Sequence, residues 1–105
     1  MHHVNALCLM VDLMRKHGLG HWRIRWTRSK REFGRCDWYR QTLHLSMPLT
    51  EANDEMEVKD TILHEIAHAL TPHDRGHGWE WKKKCIEIGA KPKRCFTWDE
   101  VRRAD

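Results

Sequence analysis

Nowhere in its 105 residues does the chain hold a long hydrophobic run. The N-terminal stretch Val4 to Met14 is apolar, but Asn5 and Asp12 interrupt it. It also falls well short of the roughly 20 residues a membrane-spanning helix needs. The marks of a signal peptide are missing too. Arg15 and Lys16 follow the apolar run instead of preceding it, and no small-residue cleavage site comes next. A cytoplasmic protein without membrane association is therefore expected. No two of the four cysteines, Cys8, Cys36, Cys85 and Cys95, stand as C-x-x-C, which removes the zinc-ribbon class. Reduced thiols in or near the core are expected, although a Cys85–Cys95 bridge is geometrically conceivable. Internal repeats, low-complexity tracts and linkers are absent, so residues 1–105 read as one domain.

What is present is globular in kind: 40% hydrophobic and 32% charged residues, with six tryptophans to supply core area in so short a chain. The net charge of +4 is modest but unevenly spread. Residues 21–40 carry seven basic side chains against Glu32 and Asp37, and residues 82–94 carry six against Glu87. Blocks of this kind suit a polyanion such as DNA, through Arg23, Arg25, Lys82, Lys83 and Lys84, and equally suit a solvated surface.

Hydrophobic spacing predicts an amphipathic helix over 3–17, with Leu7, Met10, Val11 and Met14 as its buried stripe and Gly18 as its stop. Residues 21–28 alternate as a half-buried strand, with Trp22, Ile24 and Trp26 inward and Arg23 and Arg25 outward. Two more short strands are expected at 33–39 and 42–47, the latter ended by Pro48. A helix then starts near 50–54, with Asn53 as a plausible N-cap and Asp54, Glu55 and Glu57 at its positive end. It runs to Leu70 or Thr71, where Pro72 prevents continuation. A loop at 73–78 leads to a helix over 79–88, with Trp81, Cys85 and Ile88 on one side and Gly89 as its stop. Phe96 and Trp98 are expected to dock the tail on the core. The fold class is therefore α+β: an N-terminal helix, a small mixed sheet of about three strands, a long helix and a supporting helix. The segment from Leu43 to Ser46 is the candidate sheet edge beside the cleft.

The long helix contains His64-Glu65-Ile66-Ala67-His68, an H-E-x-x-H pattern. Residues four apart share a helix face, so His64 and His68 can offer two imidazoles to one metal ion, with Glu65 beside them. The flanking residues are apolar, so polar groups there would be costly without a partner. A catalytic zinc takes three protein ligands and leaves one position for water. His77 lies beyond a break containing Pro72 and Gly76 that can turn the chain back to the metal. His73 follows His68 by only five residues and suits a loop position, and His44 is a weaker candidate. Zinc would acidify its water, and Glu65 would accept that proton as a carbonyl is attacked, then pass it to the leaving amine. The sequence assigns no second oxyanion donor, with Tyr39 and His44 as no more than candidates.

The run from Thr61 to Leu70, followed by Gly76-His77-Gly78 and then Trp79 and Trp81, resembles the SprT-like zinc metallopeptidases. Their pattern is H-E-x-x-H, a variable loop, then G-H-G-x-x-aromatic. Gly34-Arg35-Cys36 and Leu43-His44-Leu45-Ser46 with Pro48-Leu49 are similar to two further segments of that family, and together the likeness covers roughly residues 5–96. It implies a compact zincin-like fold, zinc held by His64, His68 and His77, Glu65 as general base, and Trp81 at the aromatic position. It also implies a protein substrate associated with or crosslinked to DNA. The four-cysteine ribbon of many members is missing, so the chain resembles a bare Spartan-related catalytic domain of bacterial or phage type, expected as a monomer. An alternative is a non-catalytic, zinc-stabilised DNA-binding module, against which Glu65 argues, since a structural site needs no general base. A metal-dependent endoribonuclease with H-x-x-x-H-x-x-x-x-x-H fits less well, because neither His73 nor His77 falls at the required spacing.

Overall fold

A computed structural model of the chain describes residues 1–74, 76–93 and 101–104. The expected α+β architecture is present. In chain order it runs α1 (His3–Lys16), β1 (Arg23–Thr27), β2 (Gly34–Asp37), β3 (Thr42–Ser46), α2 (Met47–Ala52), α3 (Glu55–Leu70) and α4 (Trp79–Ile88). Among the described residues no helix is long and apolar enough to cross a membrane.

Local chemistry explains most boundaries. Arg15 and Lys16 sit in the last turn of α1, where cations favour the negative end of the helix dipole. The Asp54 side chain caps α3 by accepting from the Glu57 N–H at 3.1 Å, with Glu55 and Glu57 in the first turn. Asn53 is thus not the N-cap of the long helix. It ends α2, a short helix that strand and turn signals alone did not separate from α3. Ser46 begins α2 by accepting from the Leu49 N–H at 3.1 Å, and Pro48 lies in its first turn, where a missing N–H costs nothing. Gly89 closes α4 at φ +92°, a left-handed conformation that favours glycine.

The sheet has strand order β1-β3-β2, with β3 parallel to β1 and antiparallel to β2. β3 is therefore the central strand, and the expectation that Leu43 to Ser46 forms the edge by the cleft is wrong. The β2–β3 hairpin places β2 on the far side of β3 from β1, so β2 is the edge on that side. Side-chain alternation then divides the sheet. Ile24, Leu43 and Cys36 share one cross-strand row and face inward, while Arg25, His44 and Arg35 share the next row and face out.

The core lies between the inner sheet face, α1 and α3. Met10, Leu43, Leu45, Leu49, Val58, Ile62, Ile66 and Trp81 are fully buried. On α1 the buried stripe is Ala6, Met10, Leu13 and Met14, so Leu7 and Val11 are displaced from their expected place toward solvent. Cys8, Cys36 and Cys85 are free thiols. Cys95, Phe96 and Trp98, and with them the Cys85 bridge and the docked tail, lie outside the described residues.

Candidate metal centre

Apolar packing of α3 against the core leaves Thr61, His64, Glu65 and His68 facing a cleft of about 380 Å³, whose far wall is Phe33 and Gly34 at the start of β2. Gly34 is a close-approach position. A Cβ there would lie 3.0 Å from Glu65 Cγ and 3.2 Å from Thr61 Cγ2. The glycine lets the β2 backbone pass directly over the carboxylate.

His77 returns to α3 as expected: its Nε2 lies 3.1 Å from His68 Nε2. Asp74 shapes the loop that brings it back. One carboxylate oxygen accepts from the Gly78 N–H at 3.2 Å and the other from the Trp81 N–H at 3.0 Å. These backbone bonds hold the Asp74 carboxyl below its ordinary range. Gly78 suits the same arrangement, because a Cβ on it would stand 2.7 Å from an Asp74 oxygen and the carboxylate would have to shift.

Trp81 organises all three histidines. Its ring stacks on His68 at 5.1 Å and meets His77 edge-on at 4.6 Å and His64 at 5.4 Å, while its indole N–H donates to the His64 carbonyl at 3.2 Å. Trp38 adds a support that sequence spacing did not reveal. Its indole N–H donates to the His68 carbonyl at 2.6 Å.

Burial, then the neighbouring His77 and His64, push the His68 imidazole down to about 4, so at neutral pH it is uncharged with a lone pair to share. Its Nδ1 is buried without a hydrogen-bond partner. Glu65 is raised to about 8, first by burial and then by the Glu32 carboxylate. A cation beside it would draw that value down.

Two imidazole nitrogens on one tetrahedral zinc lie about 3.3 Å apart, given Zn–N bonds of about 2.0–2.1 Å. The His68–His77 pair fits that requirement. His64 is turned aside: its Nε2–H donates to the Lys91 carbonyl at 2.6 Å and lies 3.4 Å from an Asp60 oxygen, while Lys91 N–H donates to the other Asp60 oxygen at 2.9 Å. Among the described residues no three donors converge in this arrangement.

The remaining candidates lie elsewhere. His73 is exposed and does not line the cleft. His44 faces out from β3, and Tyr39 is 93% exposed in the β2–β3 turn, so neither is an oxyanion donor in this conformation. Arg23 and Arg25 lie on the outer sheet face. Lys82 and Lys83 are exposed on α4, while Lys84 pairs with Glu87 at 2.7 Å.

Among known sequences, the model of the SprT-like family matches residues 4–99. The chain belongs to the SprT-like family. Among solved structures, this SprT-like chain is similar to the metallopeptidase zymogen jannalysin of Methanocaldococcus jannaschii. The TM-score is 0.66 at 18% identity, over 90% of this chain and 85% of that one, which shows a shared fold. No curated protein sequence matches it.

Proposed function

We propose that this SprT-like chain is a zinc-dependent endopeptidase acting on DNA-associated proteins. The observation that carries the reading is the His68–His77 pair, with facing Nε2 atoms 3.1 Å apart in the same cleft as Glu65. His64, His68 and His77 are the proposed ligands. When bound, zinc supplies an acidified water and a Lewis acid for the scissile carbonyl.

The chain's own residues do the rest. Glu65 accepts a proton in the cleft and passes it to the leaving amine, a role that a raised carboxyl pKa suits. Among the described residues no strand pairs with the outer edge of β2, whose Gly34 lies over Glu65, so an extended substrate segment adds to that edge as a further strand. Trp38, Asp74 and Trp81 keep His68 and His77 facing each other.

The test is to measure bound zinc and the cleavage of a DNA-binding protein by wild type and Glu65→Gln. The variant is expected to keep its zinc and lose about 10²–10⁴-fold in rate. Equal activity would sink the mechanism, and absence of metal would sink the site. His77→Ala is expected to release zinc and His73→Ala to retain it. Salt-sensitive DNA binding with no cleavage by wild type would favour the non-catalytic module instead.

A further inference from the structure

We propose that the outer face of the sheet is a platform for single-stranded nucleic acid, with phosphates held by Arg23, Arg25, Arg35 and Arg40 and a base stacked on Tyr39. The proposal deepens the peptidase reading by naming a partner and its surface.

The strand register brings together basic residues that are scattered in sequence. Arg25 pairs with His44, and His44 with Arg35, so a single row across three strands reads Arg-His-Arg. Two shallow depressions on this face share Arg35, Arg40 and His44; one adds Arg23 and Arg25, and the other adds Tyr39. Among the described residues neither Arg23 nor Arg25 has a carboxylate partner. Arg35 stands 3.9 Å from Glu32 and Arg40 3.2 Å from Asp37, both exposed pairs of the weak kind that a phosphate readily replaces.

The row sets a guanidinium on each side of His44. Burial, then Arg35, hold the imidazole below its ordinary range, with Arg25 adding to the effect and Asp37 and Glu32 opposing it. A bound polyanion would offset the mutual repulsion of the four guanidinium groups gathered on this face. Tyr39, 93% exposed beside the Arg40 guanidinium, offers a ring on which a splayed base can stack, and this favours a single strand over a duplex. β2 joins the two functions: Arg35 lies on the platform, and the adjacent Gly34 lies over Glu65 in the cleft. The lysines of α4 stand on a helix whose packing partner is α3, so they are not part of this face.

Fluorescence anisotropy of a labelled single-stranded DNA of about twenty nucleotides, read between about 50 and 200 mM salt, tests the platform. Arg25→Glu with Arg35→Glu is expected to weaken binding at least about tenfold. The slope of log affinity against log salt should fall by about 1.4, or about 0.7 for each lost phosphate contact. The neutral pair Arg25→Gln with Arg35→Gln should move both readouts the same way, and melting curves show that each variant is folded. Tyr39→Ala should weaken binding several-fold without changing the slope. Lys82→Glu, Lys83→Glu and Lys84→Glu together should leave affinity within about twofold.

Unchanged binding in the sheet variants, loss confined to the lysine variant, or no binding by wild type overturns the proposal. Preference for a duplex with no effect of Tyr39→Ala overturns the single-strand assignment. Binding is read without cleavage, and hydrolysis of DNA-free casein is assayed separately. A failed peptidase and a failed platform are therefore told apart.

Discussion

On one face of α3, Val58, Ile62 and Ile66 are fully buried among apolar side chains. On the neighbouring face of the same helix, His64, Glu65 and His68 turn into the cleft, and His68 Nδ1 is buried with no partner. The first face gains stability from every contact it makes. The second holds an imidazole driven to about 4 and a carboxyl driven to about 8, both by burial, and packing alone accounts for neither. The contrast supports the proposed site on the face that the fold leaves unsatisfied.

Zinc should reverse the ranking of the two faces. In metal-free protein, Ile66→Ala should cost about 2–5 kcal/mol in urea unfolding, through lost contacts and a cavity. His68→Ala should cost less, because it removes an unsatisfied polar atom together with its packing. With free zinc at about a thousandfold over Kd, wild type and Ile66→Ala should each gain about 4 kcal/mol, and His68→Ala should not. A zinc gain retained by His68→Ala would remove that residue from the ligand set.

Gly34→Ala addresses the wall opposite the helix. A methyl 3.0 Å from Glu65 Cγ should displace the carboxylate, lowering kcat by about ten- to a hundredfold while zinc content is unchanged. Unaltered kcat would mean that β2 does not set the position of Glu65.

The loop carrying His77 supplies a smaller effect. Gly78→Ala drives a methyl into the Asp74 carboxylate, and Asp74→Ala removes the acceptor of the Gly78 and Trp81 N–H groups. Each is expected to weaken zinc binding roughly tenfold, as outer supports of metal ligands do. The double variant should be no worse than the poorer single one, since the clash and the bonds share one group. Additive losses in chelator competition would show that the two residues act separately.

The parts of this architecture legible in the sequence are those fixed by local chemistry. The apolar spacing of α3, Pro72 beyond its end and the alternation of β1 mark their elements directly, and H-E-x-x-H needs only the helical period to place two imidazoles and a carboxylate on one face. α2 was not legible, because six residues between a strand and a capped helix leave no period to read. The central place of β3 follows from pairings between distant segments, which alternation within a strand does not encode. Trp38 and Asp74 act through bonds to backbone groups, which have no sequence signature. The turning of His64 toward Lys91 depends on a contact 27 residues away. Arg35 and His44 join the basic face for the same reason: register, not composition, brings them beside Arg25.

The smallest expected effect comes from thiols that sense both faces. Cys36 is raised to about 12 by burial first, then by Glu65 and Asp37; Cys85 is raised to about 12 by burial, then Asp60, then Glu65. The native state therefore holds these protons more tightly than the unfolded chain does. The stability they contribute is complete below the ordinary thiol range and is lost as pH climbs toward 12. In alkylation at about pH 9, exposed Cys8 should react first and Cys36 and Cys85 far more slowly. Glu65 titrates near 8 and carries its charge at that pH. Glu65→Gln removes a negative neighbour, lowers the thiol pKa and should speed Cys36 labelling by about twofold, more than Cys85. Identical rates in wild type and variant would mean that the Glu65 charge does not reach the inner sheet face, and that the cleft and the core are electrostatically separate.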